Sequence, residues 1–207
     1  MDTWELVDAE RRDNVALLEG LSPAQWDVQS LCGEWKVRDV AAHLSSPANW
    51  EVLPFALELL RSGFNINTAT ERDGVRRGQR DTKAIIDEFR GTIGKRRKPP
   101  GTSPETVLND MVVHGQDIRR PLGIGREIPE DRLRTCLDYV VNTNLAVGGK
   151  KRAAGVRLVA TDIDWSHGDG PEVRGPAEAL LLTLNGRADA LSDVDGPGKD
   201  PLAARRS

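Results

Sequence analysis

The chain has 207 residues and a formal net charge of -3, so no basic excess marks it as a nucleic-acid partner. Hydrophobic residues make up 38% and aromatics only 4%, so the core this length allows is mostly aliphatic. Two cysteines, Cys32 and Cys136, exclude a disulfide scaffold. The start "MDTWELVDAERRDN" has no basic residues leading into an apolar run, unlike a signal peptide. The stretch "ALLLTL" is too short to span a bilayer. These features lead us to expect a cytoplasmic protein with reduced thiols and no membrane partner. They leave the oligomeric state open.

Residues 3–20 read as a helix, with Glu5 and Glu10 in the early turns and Gly20 as the stop. "LSPAQW" is a turn. "CGEWKVRDVAAHLSSP" reads as a second helix, with Val37, Val40, Ala41 and Leu44 at helical spacing. Pro47 can open a new turn, and "WEVLPFALELL" continues helically to about Leu60. Residues 62–68 are expected to be a loop. "TKAIIDEFRGTIG" gives a third helix, and "KRRKPPGTSP" a loop, because its prolines and glycines leave it no regular form. Ser103-Pro104 opens a fourth helix that runs to about Arg120, where "PLG" stops it. Four helices with short connections suggest an antiparallel bundle over residues 1–122.

The pattern then changes. "IPEDRLRTCLDYVVNTNLAV" reads as one more helix and "GGKKRAAG" as a linker or tight loop. "VRLVATDIDWSHG" alternates with period two and reads as a hairpin. "GPAEALLLTLNGR" is a helix opened by Pro176 and closed by Gly186, and the tail from about Gly198 is expected to fray. The fold class is therefore α+β: a helical bundle, then a small α/β domain over residues 126–207.

The fourth helix carries the chemistry. A helix advances about 100° per residue. His114 thus falls in the stripe of Val107, Met111 and Ile118, with Asp110 and Asp117 at its edge. Asp110 and His114 are i, i+4 neighbours. Such a pair reads either as a hydrogen-bonded couple or as two ligands of one metal ion. In the second case a third ligand must come from another helix, and His43, late in the second, is the candidate. Two imidazoles and a carboxylate leave a zinc ion one open position, the pattern of a catalytic site. Asp117 or a backbone carbonyl would then orient an imidazole from behind.

Other residues have plainer readings. Trp35 and Trp50 flank His43 and read as core or as pocket walls. "KRRK" at 95–98 reads as a solvated loop, and Arg119 and Arg120 as partners of the helix dipole. His167 is expected to be exposed. Cys32 reads as a small apolar filler with no activating base nearby in sequence.

Three segments, "LCGEWKVRDVAAHL", "VVHGQDIRRPLG" and "DIDWSHGDGPEVRGPAEALLLTLNGR", come in an order that resembles the mycothiol-dependent maleylpyruvate isomerase family, part of the DinB-like superfamily of metal-binding four-helix bundles. The resemblance implies a divalent ion, usually zinc, held at His43, Asp110 and His114. The family has glutamate where this chain has Asp110. It also implies mycothiol as thiol cosubstrate, and isomerisation or S-transfer on a small electrophile. A metal-bound thiol is deprotonated at neutral pH, and the thiolate is the nucleophile. In the family the small C-terminal domain can contribute an arginine to the cleft, and Arg187 is the matching candidate for holding a substrate carboxylate. Two other classes fit the same scaffold: a non-catalytic binding or regulatory module, and a metal-dependent hydrolase.

Overall fold

The computed structural model describes residues 2–46, 48–49, 52–144 and 148–205, without the side chains of 52–55, 66 and 67. The chain divides into two compact units, Met1–Gly125 and Arg126–Ser207.

The first unit contains α1 (Thr3–Glu19), α2 (Val37–Leu44), α3 (Val52–Arg61), α4 (Ile66–Gly78), α5 (Thr82–Arg90) and α6 (Pro104–Arg119). Helices α1 and α2 each pack against both α5 and α6, which closes a four-helix bundle. Helices α3 and α4 pair with each other, and α4 lies along α2. The core is aliphatic, as the composition requires: Leu18, Leu44, Ile85, Leu108, Met111 and Ile118 are fully buried, with Phe89 among them.

Local chemistry sets most helix starts. Thr68 N–H donates to Asn65 Oδ1 at 3.1 Å and opens α4. Ala84 N–H donates to Asp81 Oδ1 at 3.2 Å and opens α5. Ser103 and Pro104 open α6, with Ser103 N–H on Thr106 Oγ1 at 3.3 Å. These side chains satisfy amides that the first turn leaves without partners.

Two sequence expectations change in this unit. The loop expected at 62–68 gives way to α4 from Ile66 onward. Residues 32–36 precede α2 as turn and bridge, with Gln29 paired to Lys36, and are not helix. Arg119 lies in the last turn of α6, as expected of a dipole partner, and it also ties helices together. It is 5% exposed, and its Nη1 donates to Asn14 Oδ1 at 2.8 Å and to the Gly115 carbonyl at 3.2 Å, tying α6 to α1. The expected turn at Pro47 lies outside the described residues.

The 95–98 loop is exposed but anchored. Arg96 Nη1 donates to Asp8 Oδ2 at 2.5 Å, while Asp8 Oδ1 accepts from Arg11 Nη1 at 3.1 Å and from Gly94 N–H at 2.9 Å. Burial works against the Asp8 charge, but Gly94, Arg96 and Arg11 outweigh it and hold the carboxyl below its ordinary value of 3.8. A depressed folded-state value contributes stability that is complete above the ordinary value and is lost as pH falls through the folded one. Asp8→Asn is therefore expected to flatten the loss of stability on acidification below pH 3.8. Urea unfolding of both proteins across that range measures it, and identical pH slopes would exclude this role.

The second unit contains α7 (Glu130–Val140), α8 (Gly149–Ala153), α9 (Ala177–Leu184), α10 (Lys199–Ala204) and a three-stranded sheet. The strands are β1 (Arg157–Ala160), β2 (Ser166–His167) and β3 (Glu172–Gly175), in the order β2-β1-β3. β1 and β2 form the expected hairpin, with Leu158 opposite His167. β3 adds in parallel on the other edge, with Leu158 opposite Val173. Leu158, Ala160 and Val173 are buried, and α9 packs on β1 and β3. Two expectations fail here. "GGKKRAAG" holds the short α8, entered through Gly148 in the left-handed region at φ 66°. The tail does not fray at Gly198 but forms α10, because Leu202 is fully buried and anchors it.

Candidate metal centre

α6 presents Asp110 and His114 one turn apart, and α2 delivers His43 in its last turn. The two histidine rings lie 5.0 Å apart between centroids, nearly perpendicular at 79°. His114 Nε2 lies 3.4 Å from Asp110 Oδ1, and His43 Nε2 lies 3.8 Å from Asp110 Oδ2. The donor atoms of all three residues fall within 4.8 Å of one another. Donors about 2.1 Å from a tetrahedral zinc ion stand about 3.4 Å apart, so the spacing suits a shared ion.

Two further observations bear on the fit. Asp110 Oδ2 is buried and, among the described residues, has no hydrogen-bond partner. Buried polar atoms are rarely left so, and a cation between the carboxylate and the imidazoles would satisfy it. Behind His114, Nδ1 meets Asp117 Oδ2 at 2.8 Å, and Asp117 is fully buried. This carboxylate fixes the ring and leaves Nε2 directed at Asp110, the usual support of a ligating histidine.

The electrostatics of the metal-free site follow from the same contacts. Burial works against a charged His114, but Asp110 and Asp117 outweigh it and hold the ring well above the ordinary histidine range. Burial likewise opposes the Asp110 charge, yet His114 and His43 hold it below the usual carboxylate range. The carboxylate is thus ionised whenever the protein is folded near neutrality, as a ligand must be.

The structure adds one residue that sequence reasoning placed elsewhere, and gives Trp35 both of the roles open to it. Cys32 is no isolated filler: its sulfur lies within 4.8 Å of donor atoms of His114 and Asp117. The loop that carries it is tied to α6 by Leu31 N–H on the Asp117 carbonyl at 3.1 Å. Trp35 is core, 5% exposed, but its ring also lies 5.0 Å from that of His43 and 6.1 Å from that of His114. No spacing rule finds Cys32, since its contact crosses between elements. Trp50 lies outside the described residues. His167 is partly covered and stacks on Trp165 at 6.2 Å. Arg187 belongs to the second unit, just beyond α9, and its Nη1 donates to the Asn185 carbonyl at 2.8 Å.

Residues 7–98 match the family model of the mycothiol maleylpyruvate isomerase N-terminal domain. The match includes His43 and stops short of α6, so Asp110 and His114 stand on the geometry and the motif. Crystal structures of the mycothiol-dependent maleylpyruvate isomerase and of a histidine-to-alanine mutant of it are similar to this chain. Their TM-scores are 0.61 and 0.64, each at 14% identity and covering 96% of this chain and 92% of theirs. At that identity the likeness establishes the fold. A comparison with curated proteins finds no match.

Proposed function

On the premise that residues 7–98 are a mycothiol maleylpyruvate isomerase N-terminal domain, we propose that the protein is a metal-dependent enzyme that uses a low-molecular-weight thiol, mycothiol, on a small electrophile. His43, Asp110 and His114 hold a divalent ion, zinc being the best match to two imidazoles and a carboxylate. When bound, the ion lowers the pKa of a coordinated thiol so that thiolate is present at neutral pH. Asp117 keeps His114 oriented, and Trp35 covers one side of the two rings. The thiol then conjugates with the electrophile. In an isomerisation it adds to a cis alkene conjugated to a carbonyl, the new single bond rotates, and elimination returns the thiol with the trans product. We assign Arg187 to a substrate carboxylate on the family resemblance.

The observation that carries this reading is the Asp110 carboxylate between two imidazoles: Oδ1 faces His114, while Oδ2, buried and without a hydrogen-bond partner among the described residues, faces His43. Asp110→Asn keeps the size of the side chain and removes the charge, so zinc affinity is expected to fall by at least tenfold. Asp110→Glu restores the family's residue and adds reach, so affinity should hold or rise. Zinc competition titrations of the three proteins at one pH measure this, and equal affinities would remove Asp110 from the site. Turnover of cis-configured, carbonyl-conjugated electrophiles, with and without mycothiol, tests the chemistry. Metal-dependent turnover without thiol would favour a hydrolase, and zinc binding with no turnover at all would favour a binding module.

A further inference from the structure

A ligating histidine is held by more than its ion, because the ring nitrogen that faces away from the metal normally meets a carboxylate or carbonyl. His114 has that support in Asp117. Among the described residues, no such hydrogen bond holds the far side of His43. What lies against its ring is the indole of Trp35, at 5.0 Å between centroids and tilted by 47°. The same indole also touches His114, so the three rings form one packed triangle with Trp35 at its back.

Trp35 in turn is held by α4. Its Nε1 donates to the Glu71 carbonyl at 3.2 Å. One turn on, Gly74 faces the indole so closely that a Cβ there would lie 2.6 Å from Cζ2 and 2.9 Å from Cε2. A contact under 3 Å against a rigid, buried ring cannot be absorbed without moving that ring or the helix. The helix has little freedom to move. Arg77 donates to Ser45 Oγ at 2.6 Å and pairs with Glu88, fastening α4 to α2 and α5. A Cβ at Gly78 would meet Asp39 Oδ1 at 2.1 Å, so α4 also lies directly on α2 there.

We propose that Trp35 is the positioning residue for His43, and that α4 sets through Gly74 how tightly the site holds its ion. The helix acts without contributing a ligand. Packing against Trp35 does for His43 what a hydrogen bond to Asp117 does for His114. The part that concerns affinity rests on the metal reading above, whereas the part that concerns ring position does not.

The test compares Gly74→Ala and Trp35→Phe with Val75→Ala, a substitution on the same helix at a residue that is 41% exposed. Three readouts are needed: zinc affinity by chelator competition, the visible spectrum of the cobalt-substituted protein, and the histidine ring resonances of the metal-free protein by NMR. Circular dichroism establishes that each variant is folded. Gly74→Ala is expected to weaken zinc by about tenfold, the scale of losing an outer support of a ligand. It should also change the cobalt spectrum and shift the His43 ring signals. Trp35→Phe keeps an aromatic ring but loses the bond to Glu71, so it should move all three readouts in the same direction by less. Val75→Ala should move none. Should Gly74→Ala fail to fold, Trp35→Phe against Val75→Ala still decides. Unchanged affinity, spectrum and ring signals in the folded variants would overturn the proposal. A wild-type protein that binds no zinc would sink the metal reading instead, and the ring signals would still test the positioning.

Discussion

His114→Ala is expected to abolish stoichiometric zinc binding. The imidazole is the hub of the site: Nε2 faces Asp110 at 3.4 Å while Nδ1 is fixed by Asp117 at 2.8 Å. Zinc sites with four protein ligands bind with roughly 10–16 kcal/mol. One ligand is then worth about 3 kcal/mol, or roughly two decades of affinity. Metal content after dialysis against a weak chelator reads the loss directly. Retention of wild-type zinc would show that the ion, if any, lies elsewhere. The wild type adds a pH signature. A ligand must be neutral, and the neighbouring carboxylates hold His114 above its ordinary value of 6.5. Protons therefore compete for the site past that value, and zinc affinity should still be climbing on the alkaline side of it.

The largest expected effect on stability falls where α1 meets the turn after α5. Arg11 is 1% exposed, and its Nη1 donates to Asp8 Oδ1, to the Thr92 carbonyl and to the Lys95 carbonyl. These bonds close the turn after α5 onto α1. Arg11→Ala leaves the buried Thr92 carbonyl and the part-buried Lys95 carbonyl without that donor, opens a cavity the size of a long side chain, and strips Asp8 of one of its two cations. Breaking a buried pair on one side costs about 3–5 kcal/mol. At a few degrees per kcal/mol for a chain of this size, the melting temperature should drop by roughly 10 °C. Arg11→Met refills the volume without the hydrogen bonds and should recover part of the loss. A melting temperature unchanged in Arg11→Ala would mean that the turn is held by something else.

How far the sequence could be read depended on whether an element's cause is local. α6 was legible at both ends because Ser103, Pro104 and the "PLG" stop act within a turn of the helix they bound. The Asp110–His114 pair was legible for the same reason, since i, i+4 spacing places the side chains side by side. α4 was not. Its contact face is built from Ala69, Gly74, Arg77 and Gly78, small or charged residues that leave no apolar stripe to count. Glycine inside a helix usually argues against one. Here it is what allows α4 to reach Trp35 and Asp39. Cys32 escaped for another reason: its loop reaches His114 through contacts far apart in sequence, such as the bond from Leu31 to Asp117 across 86 positions of chain. The final helix was hidden because one buried leucine, Leu202, decides it.

In the second unit, α9 is enclosed past Glu178: Ala179, Leu180, Leu181, Leu182, Thr183 and Leu184 have no exposed surface. A helix with no solvent face cannot open one turn at a time, because releasing any residue uncovers its neighbours on the sheet, on α7 and on the turn at 189–193. Its amides therefore have no route to water short of unfolding the unit that surrounds them. They should be the slowest there to exchange deuterium, all with one common opening free energy, which makes α9 an internal gauge of the stability of that half of the chain.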